Sequence, residues 1–134
     1  MKISTKGTYA MRIMADIAVN ESKGNVAVTE LATRQNISQK YLEQIMQMLV
    51  KAKLVTSHRG IAGGYTLSRP AQNISVGDIL AATEGKLQTV TCIDGKCEKA
   101  ASCMTINVWG KLDKIVNEFL TNTTLKDVIT NNVK

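Results

Sequence analysis

The sequence predicts a mainly α-helical fold with a small β-hairpin, a winged helix-turn-helix domain extended by a long C-terminal helix. Three observations carry this. Residues 26–52 hold two helical segments joined by a turn of three or four residues. Residues 54–68, LVTSHRGIAGGYTLS, follow at once as two β-rich runs with glycines 60, 63 and 64 between them. From about Thr105 to Leu120, large apolar residues recur at helical spacing.

Each element has a local reason. Tyr9, Ala10, Ile13, Met14, Ile17 and Ala18 recur every three or four positions, which predicts a helix over 5–20 with Arg12 and Asp16 on its other face. Lys23-Gly24-Asn25 ends it. Thr29 is the expected N-cap of a short helix, and Asn36 suits the left-handed turn after it. Ser38 then caps a second helix to about Lys51. Leu42, Ile45 and Leu49 face inward, and Gln39, Lys40, Glu43, Gln44, Gln47 and Lys51 face outward. Pro70 closes the hairpin, and Ser75-Val76-Gly77-Asp78 opens a short helix that Gly85 stops. The late stripe is Ile106, Trp109, Leu112, Ile115/Val116 and Phe119, and it holds the only Trp and the only Phe. So much apolar surface on one helix calls for a partner, most simply a second copy of the chain in a homodimer, the alternative being that it packs back on its own winged domain. Thr124 to Ile129 adds a last helical turn or two. The expected division is 1–84 for the winged domain, 85–104 for a connector and cysteine loop, and 105–134 for the dimerisation helix and tail.

Charge points the same way. Residues 1–69 hold ten Lys/Arg against four Asp/Glu, and residues 70–134 hold seven of each, so the first half carries the whole net charge of +6. A basic half with an amide-rich outward helix suits a duplex nucleic acid. No apolar run approaches the roughly 20 residues a bilayer crossing needs, and Arg12 and Asp16 interrupt any secretory core, so the expected location is cytoplasmic, with no membrane partner. Enzyme chemistry has little to stand on. The one histidine, His58, lies in the hairpin, and no nucleophile–base pair or phosphate-cradling glycine loop is present.

The three cysteines all fall in CIDGKCEKAASC, Cys92, Cys97 and Cys103. An odd number in a cytosolic chain argues against a disulfide framework, leaving inert thiols, a redox switch or a metal site. Lys96 and Lys99 would favour thiolates, and Gly95 helps the loop turn. Spacing alone also admits zinc, although the C-x2-C pairs common in zinc sites are missing.

The opening K-I-S-T-K-G-x-Y-A-M, the block I-S-x-x-Y-L-E-Q-I, the stretch R-G-x-x-G-G-Y-x-L and the cysteine loop together resemble the IscR/NsrR-type winged-helix transcription regulators over nearly the whole chain. The resemblance implies a homodimer on double-stranded promoter DNA whose affinity is set by an iron–sulfur cluster, [2Fe–2S] or [4Fe–4S]. It implies sensing of iron–sulfur status, redox state or nitric oxide. Cys92, Cys97 and Cys103 match the cluster ligands. Ser38, Gln39, Lys40, Tyr41, Glu43 and Gln44 match the base- and phosphate-reading positions, and Arg59 the wing arginine. The first cysteine interval is one residue shorter than in the best-known members. Ile106 stands where the IscR pattern has a histidine, and Thr8 where NsrR-like members have an acidic residue. The fourth ligand is unassigned among Asn107, Glu98, a residue of a second copy and a small external ligand. The alternative is a winged-helix regulator without a cluster, sensing by thiol oxidation, a metabolite or a protein partner.

Overall fold

The computed structural model describes every residue of the chain except Lys96, and of Asp94 the backbone alone. The thiolate-favouring role expected of Lys96 therefore lies outside the described residues. Helix α1 is Thr5–Asn20, opened by the Ser4 hydroxyl, which accepts from the Gly7 amide at 3.2 Å. Its Ala10, Ile13, Met14 and Ile17 are fully buried and form the spine of the core. Val26 then pairs as an isolated bridge with Tyr65, with amide–carbonyl bonds of 3.0 and 2.9 Å.

That bridge explains a departure from the sequence reading. Helix α2 is Val28–Gln35, so it starts ahead of Thr29, behind Ala27 and with no side-chain cap. The chain is fixed in extended pairing at Val26 and turns helical as soon as it is released, with Leu31 fully buried beneath it. Asn36 takes the left-handed conformation (φ 53°, ψ 50°), as expected. Helix α3, Gln39–Lys51, begins on Ser38, whose hydroxyl accepts from the Tyr41 amide at 3.1 Å. Ser38→Ala is expected to lower stability by about 1 kcal/mol, read from a denaturant midpoint that moves at constant slope.

Strands β1 (Val55–His58) and β2 (Gly64–Leu67) pair antiparallel, from Val55 with Leu67 to His58 with Gly64. At Gly64 (φ +151°) a Cβ would come within 2.5 Å of the Val26 carbonyl, so only glycine lets the hairpin close against the bridge. Helix α4 is Val76–Glu84, helix α5 Ile106–Asn122 and helix α6 Leu125–Ile129.

The starts of α4 and α6 lie side by side. Both carry capping boxes, Ser75 with Asp78 and Thr124 with Asp127. Ser75 and Thr124 form a bridge, with Val76 donating to the Thr123 carbonyl and Leu125 to the Ile74 carbonyl, each at 2.8 Å. Leu125 is fully buried as part of the apolar core, with α6 packed on α1. Helix α6 thus packs with the core that α1 and its neighbours build. Leu125→Ala should cost roughly 2–5 kcal/mol of unfolding free energy, checked by chemical denaturation.

Helix α5 lies on α4, where a Cβ on Gly77 would meet the Leu120 carbonyl at 3.3 Å. None of its residues is fully buried. Val108, Leu112, Ile115 and Phe119 are between 42 and 59 % exposed, so one apolar face stands open while Trp109 and Val116 are half-buried. No helix among the described residues is long and apolar enough to cross a membrane.

Candidate DNA-reading surface and cysteine loop

The outward face of α3 follows from its period. With Leu42, Ile45, Met46 and Leu49 in the core, Gln39, Lys40, Glu43, Gln44, Gln47 and Lys51 are all exposed. The Gln39 amide donates to Glu43 Oε1 at 3.1 Å, so those two side chains present themselves as a pair. Ser38 is exposed but serves as the cap. Tyr41 is half-buried and meets Tyr9 edge to face, with ring centroids 5.9 Å apart. Arg12 lies over the other ring of that pair, 4.9 Å from the Tyr9 centroid. Arg59 is exposed in the loop between β1 and β2. His58 Nε2 sits 2.9 Å from Thr66 Oγ1 on the facing strand, a polar contact within the hairpin.

A network that sequence reading missed positions α3. Asp16, expected on the outer face of α1, has only 6 % of its side chain exposed. Its carboxylate accepts from Arg34 Nη2 at 2.7 Å, from Arg34 Nε, from Gln35 Nε2 at 2.8 Å and from Asn20 Nδ2 at 3.1 Å. Arg12 Nε donates to Gln35 Oε1 at 3.0 Å. Burial pushes the Asp16 carboxyl up, but the donors of Arg34, Gln35 and Asn20 together outweigh it and hold the group below its ordinary value. These bonds fasten the last residues of α2 to α1, immediately before the Asn36 turn that aims α3. Arg34 and Gln35 lie 18 and 19 residues from Asp16, beyond any helical period.

In the cysteine loop, Cys92 lies in a single 3₁₀ turn, Thr91–Asp94, and Cys103 follows another, Ala100–Ser102. All three thiols are free and half-buried. Cys103 Sγ is 3.1 Å from Thr105 Oγ1, at the start of α5. The Thr105 hydroxyl, then the Thr105 and Ile106 amides, pull its pKa below the ordinary thiol value. Among the described residues, no three Cys, His, Asp or Glu side chains converge as a metal site, so Cys92, Cys97 and Cys103 are not gathered as a preformed set. Their donor chemistry nonetheless fits an iron–sulfur cluster, since three thiols in one loop are committed neither to a disulfide nor to the core. Cys92 opens on a groove shared with Ile106, Asn107, Lys111 and Lys114. Thr8 is exposed on α1, its hydroxyl donating to the Thr5 carbonyl at 2.9 Å, and Glu98 is exposed in the loop.

The connector into the loop is tied at both ends. The Ser4 amide donates to Glu84 Oε1 at 3.1 Å, joined by the Ser4 hydroxyl, which links the first turn of α1 to the end of α4. The Thr89 amide donates to Asp113 Oδ1 at 3.1 Å, and Asn117 Nδ2 holds Asp113 Oδ2 at 3.0 Å, which links the connector to α5.

Known proteins share this architecture throughout. The Rrf2 family model, described as an iron-dependent transcriptional regulator, matches residues 3–131. The HTH-type transcriptional regulator IscR of Vibrio vulnificus is 38% identical over 133 residues, covering 98% of this chain and 79% of IscR. CymR, the global cysteine regulator of B. subtilis, superposes with a TM-score of 0.84 at 35% identity, covering 98% of both chains. T. potens IscR does so with a TM-score of 0.78 at 38% identity, covering 98% of this chain and 88% of that one. With the helix-turn-helix, the wing and the connector accounted for end to end, the chain belongs to the Rrf2 family and is a winged-helix, DNA-binding transcriptional regulator.

Proposed function

We propose that two copies of this chain form a homodimer on double-stranded promoter DNA, and that an iron–sulfur cluster held through Cys92, Cys97 and Cys103 sets its affinity. The observation that carries this reading is three free, half-buried thiols on the one connector between the α3 surface and the open face of α5. On DNA, Gln44 suits adenine and Glu43 suits cytosine N4 in the major groove, with Ser38, Gln39, Lys40 and Tyr41 at the rim and phosphates. Arg59 reaches phosphate or the minor groove from the wing.

When bound, the cluster would supply a reversible electron couple and iron sites open to exchange. Everything else is done by the chain. Gathering three cysteines that are apart as placed has to move the connector. Its ties at Ser4–Glu84 and Thr89–Asp113 carry that displacement to α1 of the reading head and to α5. Two dimer arrangements with different spacing of the α3 helices then differ in affinity for paired half-sites. Anaerobic reconstitution with iron and sulfide is expected to give a coloured protein with both elements bound and a changed affinity for promoter duplexes. A protein that stays colourless and iron-free would sink this reading.

A second reading is supported by the Cys103–Thr105 geometry, by the dispersed thiols and by the likeness to CymR. In it the same cysteines act as a thiol switch, or the signal is a metabolite or protein partner, with no cluster. Iron-free protein whose DNA affinity changes on mild oxidation and recovers with a thiol reductant would favour the switch.

A further inference from the structure

Ile61 is the most exposed large apolar side chain among the described residues, at 110 % of its reference surface. It stands in the Arg59–Gly63 loop, beyond the last strand pair of the wing, His58 with Gly64. The tip is braced from both sides. The Gly63 amide donates to the Gly60 carbonyl at 3.0 Å, and the Asn25 side chain donates to the Ala62 carbonyl at 2.9 Å. A Cβ at Gly63 would lie 2.5 Å from the His58 carbonyl, so the turn is as tight as glycine permits. So held, the loop keeps Ile61 away from the core and in water. A lone exposed isoleucine is ordinary on a protein surface. This one is two residues from Arg59, on the tip of the wing, in a stretch from Gln44 to Gly77 that contains no Asp or Glu.

We infer that Ile61 enters the minor groove beside Arg59 and packs on its floor, selecting A·T over G·C pairs next to the half-site read by α3. The inference rests on the reading of α3 and the wing as the DNA surface. The minor groove, about 6 Å wide, differs between the two pairs chiefly by the guanine N2 amino group. That group fills space a branched side chain needs, and an apolar neighbour leaves its N–H without a partner. Isoleucine is among the side chains that minor-groove proteins insert between base steps.

The test begins with duplexes enriched from a randomised pool on the parent protein. The pair under the wing is then set as A·T, G·C or inosine·cytosine, the last lacking the amino group while keeping guanine's major-groove edge. The parent is expected to bind the A·T and inosine duplexes about five- to tenfold more tightly than the G·C duplex. Ile61→Ala is expected to bind all three alike with an unchanged salt slope, since no phosphate contact is lost. Ile61→Leu keeps the preference. Arg59→Ala keeps it too while flattening the salt slope. An Ile61→Ala protein with the parent's preference, or an enriching parent with no preference, overturns the role of Ile61 alone. A parent that enriches no sequence overturns the reading of α3, and this inference with it.

Discussion

Replacing Leu112 and Ile115 together by aspartate is expected to turn the proposed homodimer into a monomer and to weaken binding to a two-half-site duplex by about 10²–10³-fold. Both residues belong to the open face of α5, with Val108 and Phe119. A carboxylate there would have to be buried without a partner when two such faces meet, which costs far more than leaving it in water. A monomer then contacts one half-site at a time, and the gain from linking two recognition helices disappears. The fold should survive, because both positions are exposed and α5 is held to the rest of the chain by Asp113, Asn117 and its contact with α4. Helical circular dichroism and the melting curve should therefore match the parent, while light scattering reports half the mass. A double variant that remains a dimer at micromolar concentration would remove α5 as the interface.

What the sequence makes legible here is periodic or signalled locally. The buried and outward positions of α3 follow from one apolar stripe and one capping serine, and the hairpin from glycines between β-rich runs. The end of α1, the Asn36 turn and the capping box at Ser75 carry their own chemistry in adjacent residues. What is not legible lies in contacts between distant segments. Asp16 looks like a solvated charge on α1 because nothing near it in sequence shows Arg34 and Gln35 arriving from α2. The start of α2 is set by a bridge from Val26 to Tyr65, across 39 residues, so the expected cap at Thr29 is unused. Leu125 sits in a five-residue helix too short for a periodic signal, yet it is fully buried. The cysteine spacing names candidate ligands but does not say whether the loop gathers them, since twelve residues can close around a cluster or lie open.

Removing the Asp16 carboxylate is expected to give the largest loss of stability among the polar substitutions. Asp16→Ala strips one acceptor from Arg34, Gln35 and Asn20 together. Breaking a buried ion pair costs about 3–5 kcal/mol, and because the Arg34 side chain is 38 % exposed and can turn to water, the lower end, roughly 3 kcal/mol, applies. That corresponds to a fall in melting temperature of roughly 10 °C for a chain of this size. Affinity should drop as well, because the end of α2 is freed from α1 immediately before the turn that aims α3. Asp16→Asn keeps one carbonyl acceptor and the volume, so it should lose less than half as much. The pH dependence gives an independent reading. The folded-state pKa of Asp16 lies below its unfolded value, so its contribution is fully present above the unfolded value, near pH 4, and is lost as the pH falls through the folded value. Asp127 is lowered in the same sense by the Thr124 amide and hydroxyl and adds to the acid limb. Stability of the parent should therefore be flat from pH 7 to about 5 and decline steeply below 4, and Asp16→Asn should show a shallower decline that retains the Asp127 part. A variant with the parent's acid slope would mean that the carboxylate is not held by Arg34 in solution, and the aim of α3 would have to come from the Tyr9–Tyr41 contact and the apolar core alone.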